Sequence, residues 1–123
     1  MKIYLQARGS YQTLLDLSTW CESNNIERIG LPDHYIVGKQ RKDKEEPAPA
    51  LDLLTAIAGL VRDTESMIYS VLVSPITFRH PSVLLKMATT INEMAKKRFR
   101  LGVGTGWLEI EHEVFGINFP DLK

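Results

Sequence analysis

Met67-Ile-Tyr-Ser-Val-Leu-Val73, closed by Ser74 and Pro75, is the stretch on which the fold turns, together with Arg98-Phe-Arg-Leu-Gly-Val-Gly-Thr-Gly-Trp107 further along. The first is a nearly continuous apolar run, as expected of a strand covered on both faces within a parallel sheet. Between the two lies a helical pattern. Pro81 suits a first helical turn, Val83, Leu84, Met87, Ala88, Ile91, Met94 and Ala95 trace one stripe, and Lys96, Lys97 and Arg98 suit the negative carboxyl end. Residues 99–103 then read as a strand running into Gly104-Thr-Gly106, with a short helix over about 108–115.

Upstream, the same alternation recurs. Residues 2–7 are rich in β-formers and are punctuated by Gly9 and Ser10. Leu14, Leu17 and Cys21 then recur at helical spacing over residues 13–24, widened by Leu15 and Trp20, and Asn24 and Asn25 suit the stop. Residues 28–31 make a very short strand that Pro32 ends, so Asp33 and His34 are delivered into a loop. That loop runs to about Pro49 through Lys39-Gln-Arg-Lys-Asp-Lys-Glu-Glu46, which must be solvated. Leu53, Leu54, Ile57, Ala58 and Val61 restore helical spacing over residues 51–63, with Gly59 as a blemish. Four strands alternating with helices demand a parallel sheet with right-handed crossovers. Residues 1–123 are read as one α/β domain, either an open doubly wound sheet or half of an eight-stranded barrel, which takes about 250 residues.

Composition narrows the function. Fifteen Lys plus Arg balance fifteen Asp plus Glu, so there is no electrostatic footprint for nucleic acid. The amino terminus lacks the apolar core of a signal peptide and no apolar stretch approaches a membrane span, which makes the cytoplasm the expected location and a membrane partner unexpected. A single cysteine, Cys21, rules out an internal disulfide and is expected to be a packing thiol.

In both architectures ligands gather at the carboxyl ends of the strands. The residues there are Arg8, Asp33, His34, Ser74, Pro75, Gly104, Thr105, Gly106 and Trp107. A histidine beside a carboxylate can act as general acid or base; equally, Asp33 could cap a turn and His34 could simply pack or face solvent. Gly102-Val-Gly104-Thr-Gly106-Trp107 invites a dinucleotide-binding reading, but that pattern needs a small residue at 107. What three glycines do permit is a backbone that passes close to a flat ligand beside an indole wall. Glu109 and His112 share a helical face, yet no second histidine or cysteine cluster would complete a metal site, so none is expected. Arg79 and His80 precede a helix and are expected to serve the turn.

Four blocks, Leu31-Pro-Asp-His-Tyr35, Val73-Ser-Pro-Ile-Thr-Phe-Arg-His-Pro81, Arg98 to Trp107, and Glu111-His-Glu-Val-Phe-Gly-Ile-Asn-Phe-Pro120, resemble in order the luciferase-like monooxygenase family. The resemblance implies the amino-terminal half of a (β/α) TIM barrel. It also implies oxidation of a small organic substrate with reduced FMN and oxygen, or with a deazaflavin coenzyme by hydride transfer. Carried over residue by residue, it makes His34, accompanied by Asp33, the acid or base near the reacting ring. Val73 and Ser74 would pass along the ring, where such folds often hold a cis peptide bond. Gly104, Thr105 and Gly106 would border it, with Trp107 and Glu109 close by. Family members run to at least twice this length, so the resemblance further implies an incomplete chain. That chain is expected either to pair as a homodimer or with a missing barrel half, or to persist as a truncated, non-catalytic interaction module. Uncovered strand edges favour such pairing.

Overall fold

The structure, a computed structural model, describes residues 3–37 and 48–121. The elements are β1 (Tyr4–Gln6), α1 (Tyr11–Ser23), β2 (Arg28–Leu31), β3 (Ile36–Val37), β4 (Ala48–Pro49), α2 (Leu53–Asp63), β5 (Ile68–Pro75), α3 (Pro81–Met94), β6 (Phe99–Gly104) and α4 (Glu109–Phe115). The charged run at residues 39–46 lies outside the described residues. Its flanks were expected to be plain loop, but β3 and β4 pair antiparallel there.

Strands β1, β2, β5 and β6 form one all-parallel sheet in that spatial order, which is also their chain order. A doubly wound sheet reverses its strand order at a switch point and carries helices on both faces. Neither happens here. One core takes in Leu14 and Cys21 of α1, Leu54, Ile57 and Leu60 of α2, and Leu84 and Ile91 of α3. From the sheet it takes Ile29, Leu31, Tyr69, Val71 and Phe99, residues of alternate positions on β2, β5 and β6. All three long helices thus cover the same face, the winding of half a parallel β/α barrel. Trp20, expected in the α1 stripe, stands exposed instead.

The other face corrects the reading of residues 67–73 as a strand covered twice. Tyr69 and Val71 are buried, but Leu72 and Val73 are 51% and 41% exposed. A bulge sets this up. Val71 pairs with Leu101 and Ser74 with Val103, so Leu72 and Val73 together oppose Gly102 alone. The Leu72–Val73 peptide is cis, in the strand end where the resemblance placed such a bond. Glycine at 102 is a steric requirement of the bulge, because a Cβ there would lie 2.5 Å from the Val71 carbonyl oxygen. Gly59 has a similar cause: a Cβ there would lie 2.6 Å from the Tyr11 hydroxyl, which donates to Asp63 across the α1–α2 contact.

At the carboxyl edge, Arg79 braces three segments. Its guanidinium donates to Asp33 Oδ2 after β2 and to Asp52 Oδ2 before α2, each at 2.5 Å. Ser74 Oγ, at the end of β5, donates to the same Asp33 oxygen at 2.6 Å. Burial alone would lower the Arg79 pKa, but the two carboxylates outweigh it and raise it. Burial likewise acts to raise Asp52, yet donors from Thr55 and Arg79 hold it below the usual carboxylate range. Asp52 also caps α2 through the Thr55 N–H, as Ser10 caps α1 and the His80 ring caps α3. His80 therefore serves the turn as expected, whereas Arg79 does more.

Two outcomes test this fold. Gly102→Ala must push the Val71 carbonyl aside and is expected to cost about 1–3 kcal/mol of unfolding free energy, read by urea denaturation. Burial, followed by the Asp63 hydrogen bond, pushes the Tyr11 phenol up to about 12 from 10.0. The folded state therefore keeps this proton where the unfolded chain has lost it. Its stabilising contribution is complete below pH 10 and lost as pH rises towards 12. Denaturation curves of Tyr11→Phe should lack this component of the alkaline decline.

Candidate active site

Past the ends of β2, β5 and β6 the chain leaves a cavity of about 320 Å³. His34, Val73, Gly104, Thr105, Gly106 and Trp107 contribute to its wall, as does Asp33 beneath His34. A neighbouring cleft of about 370 Å³ is lined by Arg8 and Ala7 after β1 and shares His34 with the first. His34 thus stands between two openings. Ser74 does not line the cavity; it is fully buried under it, on Asp33. Glu109 does not line it either and is exposed on α4.

The wall is thin where glycine makes it so. A Cβ on Gly104 would fall 2.7 Å from Val73 Cγ2, and Gly106 adopts φ +82°, which an L side chain rarely tolerates. Trp107 is 70% exposed, with its indole edge-on to the His34 ring at a centroid distance of 6.1 Å. An indole left this bare at a cavity rim presents a broad apolar surface for stacking.

His34 and Asp33 take different hydrogen-bond partners. Asp33 is 1% exposed and committed to Ser74 and Arg79. The carboxylate that meets His34 is Glu111, whose Oε2 lies 2.9 Å from Nδ1. Its Oε1 accepts the N–H groups of Tyr35 at 2.7 Å and Ile36 at 3.1 Å. An ionised carboxylate can only accept hydrogen bonds, so opposite an ionised Glu111 it is Nδ1 that carries the proton. In the neutral ring Nε2 is then left with a free lone pair.

Glu111 is 1% exposed, and so is its neighbour His112. His112 Nδ1 lies 3.1 Å from the Leu108 carbonyl oxygen, leaving Nε2 to accept from Thr77 Oγ1 at 2.7 Å. The His112 ring packs on Phe78 and Phe119, and Tyr35 stacks on Phe78 at 4.3 Å. These contacts dock α4 against the β2 and β5 loops. Sequence reasoning passed over Glu111 because α4 is inverted: Ile110 and Val114 face outward at 40% and 59% exposure while Glu111 and His112 face in. The available signal was the spacing of Glu111 and Phe115, four apart on one helical face with Phe115 ring-packed on Tyr35. Among the described residues no group of three His, Cys, Asp or Glu side chains could hold a metal ion, and no helix is long and apolar enough to cross a membrane.

The fold has counterparts among solved structures. Among curated proteins no sequence matches. Among solved structures, the coenzyme F420 dependent tetrahydromethanopterin reductase from Methanopyrus kandleri is similar at TM-score 0.71 and 17% identity, over 97% of this chain and 30% of that one. The oxygenating constituent of 3,6-diketocamphane monooxygenase from Pseudomonas putida, solved with FMN, is similar at TM-score 0.71 and 17% identity, over 94% of this chain and 32% of that one. An F420-dependent secondary alcohol dehydrogenase, in complex with an F420–acetone adduct, is similar at TM-score 0.73 and 17% identity, over 94% and 36%. The chain thus spans about a third of the length of these structures. The family model for luciferase-like monooxygenases matches residues 2–122, and with the fold and the four sequence blocks this decides the assignment: the chain belongs to the luciferase-like monooxygenase family.

Proposed function

We propose that this chain supplies the ring-facing wall of an oxidoreductase site in the cytoplasm. There a small organic substrate is oxidised with reduced FMN and oxygen, or by hydride transfer through a deazaflavin. The observation that carries this reading is the cavity bounded by His34, Val73, Gly104 and Trp107, with the Nδ1 of His34 held by Glu111. A flat heteroaromatic ring fits a wall from which Cβ atoms are missing at Gly104 and Gly106, because planar groups need close backbone approach on one side. Among the described residues no Lys or Arg lines this cavity. In β/α barrels phosphate groups are commonly held by the later βα loops, and the anionic end of either cofactor is assigned to such loops here.

When bound, the cofactor supplies the electron or hydride chemistry that no side chain can. The residues of this chain move and hold protons. His34 Nε2 accepts a proton from substrate or returns one, and Glu111 fixes the ring in the tautomer that leaves Nε2 free. Asp33 acts at one remove: it holds Ser74 and Arg79 and so keeps the loop after β2 in register with the end of β5. Val73 and Trp107 would border the ring and exclude water from part of its surface.

Titration of FMN and of the deazaflavin with the protein, followed by cofactor fluorescence, is the direct test. Quenching is expected with at least one, weakened about tenfold by Trp107→Ala on the scale of one aromatic contact; no quenching by either would end this reading. Glu111→Gln retains an acceptor for the backbone donors but turns an N–H towards His34, favouring the other tautomer. Turnover should then fall by about 100- to 10,000-fold with cofactor affinity little changed. Nitrogen chemical shifts of the His34 ring report the tautomer directly, and an unchanged ring would remove Glu111 from this role.

A further inference from the structure

His34 faces two openings, and they differ in chemistry. One is the cavity walled by Val73, Gly104, Gly106 and Trp107; the other is the cleft of about 370 Å³ beside β1. Gln6, Pro32 and His34 border both, so the two spaces meet along these residues. The path of β1 decides which side chains reach the cleft. Leu5 and Ala7 pack against the core beneath the helices, and the Ala7 N–H donates to the Gly30 carbonyl at 3.0 Å, which keeps the chain extended beside β2. Strand alternation then sends Gln6 and Arg8 to the other side, and both line the cleft. Among the described residues Arg8 is the only Lys or Arg lining either space, and no Asp or Glu lines the cleft. Arg8 is exposed and, among the described residues, takes part in no hydrogen bond or ion pair.

A hydrated guanidinium needs no partner for the fold's sake, so the weight of Arg8 lies in its position. It stands in a cleft that shares its other polar walls with the cavity, where the acid, Asp33, is already committed to Ser74 and Arg79. Pro32 has no N–H to offer, which leaves Arg8, Gln6 and His34 as the polar side chains of the cleft. The planar fork of arginine meets a carboxylate through two charge-assisted hydrogen bonds, and the Gln6 carboxamide can donate beside it. We propose that the cleft beside β1 takes the substrate and that Arg8 selects a small organic acid, holding its carboxylate while the carbon skeleton points towards His34. This rests on the oxidoreductase reading of the same site and adds to it a substrate class. The flat ring then occupies the side of His34 walled by glycine and Trp107, and the substrate the side that carries the charge.

Propionate and its neutral isostere propionamide probe the cleft. Each is titrated into the chain with and without oxidised FMN, and the signals of the Arg8 guanidinium and the His34 ring are followed by NMR. Propionate is expected to bind about tenfold more tightly than propionamide, a preference of about 1.4 kcal/mol, with both residues shifting together. Arg8→Gln should erase the preference, and Arg8→Lys should restore part of it, since charge returns without the fork. Arg62→Gln, which removes an exposed arginine from the last turn of α2, should leave it intact. Equal binding of the two probes, a preference that survives Arg8→Gln, or one lost equally in Arg62→Gln overturns the proposal. FMN and riboflavin separate the other source of an anion: Arg8→Gln should leave their relative affinities unchanged, whereas a loss confined to FMN gives Arg8 to the cofactor phosphate and overturns the proposal too. Cofactor quenching without a propionate preference refutes this inference alone, and the absence of quenching by FMN and deazaflavin refutes the oxidoreductase reading on which it rests.

Discussion

Arg79 sits between two carboxylates contributed by segments far apart in the chain, Asp33 after β2 and Asp52 before α2. Its side chain is almost buried, so the two bonds act where water does not compete strongly. Desolvating a guanidinium costs several kcal/mol, which ion pairs recover only when geometry and further hydrogen bonds are good. Here they are: Ser74 adds a donor to Asp33, and Thr55 adds one to Asp52. Arginine suits this position better than lysine because its planar fork addresses two acceptors in fixed directions. The consequence reaches the cavity. Asp33 precedes His34 and Ser74 follows Val73, so the same brace sets the spacing of the two strand ends that bound the cavity.

From that brace the position of His34 still lacks one coordinate, the rotation of its ring, and α4 provides it. A helix of seven residues with no side-chain cap has little stability of its own. Tertiary contact holds it. Glu111 reaches three donors on the β2 loop, His112 reaches Thr77, and the aromatic rings of Tyr35, Phe78, Phe115 and Phe119 pack around them. Gly116, at φ +64°, then ends the helix in the left-handed conformation that its missing Cβ favours. The helix is thereby anchored through its polar residues, and its apolar Ile110 and Val114 are left outside.

Much of the fold was legible because it depends on local periodicity. The α3 stripe and its proline start, the short strand at 28–31 and the buried Cys21 all follow from spacing that any helix or strand imposes. The choice of barrel over open sheet was not legible that way. It depends on strand order, which no repeat of three or four residues encodes, and only the family blocks pointed to it. In the site, Gly104 to Trp107 and His34 could be found because they directly follow strands. Glu111 and Arg79 were missed as partners because their bonds span 77 and 46 residues, and α4 hides its acid behind an inverted pattern. The assumption that strand β5 was covered twice failed for a related reason. An apolar sequence records that a face can be buried, and Leu72 and Val73 are apolar on a face that nothing among the described residues covers.

That exposure has a structural logic. To project Leu72 and Val73 from the sheet, β5 takes one residue more than β6 over the same length, and β6 accommodates this only by giving up side chains at 102 and 104. Each glycine forgoes packing and carries more backbone entropy into the unfolded state, by roughly 0.5–1 kcal/mol relative to alanine. A sheet selected for stability alone would straighten β5 and fill those positions. The retained bulge instead brings the Val73 side chain to the cavity wall beside Gly104 and carries β5 on to Ser74, the anchor of Asp33. The bulge of β5 and the braced loop after β2 therefore meet at one wall, where Ser74, the residue after the bulge, is held on Asp33.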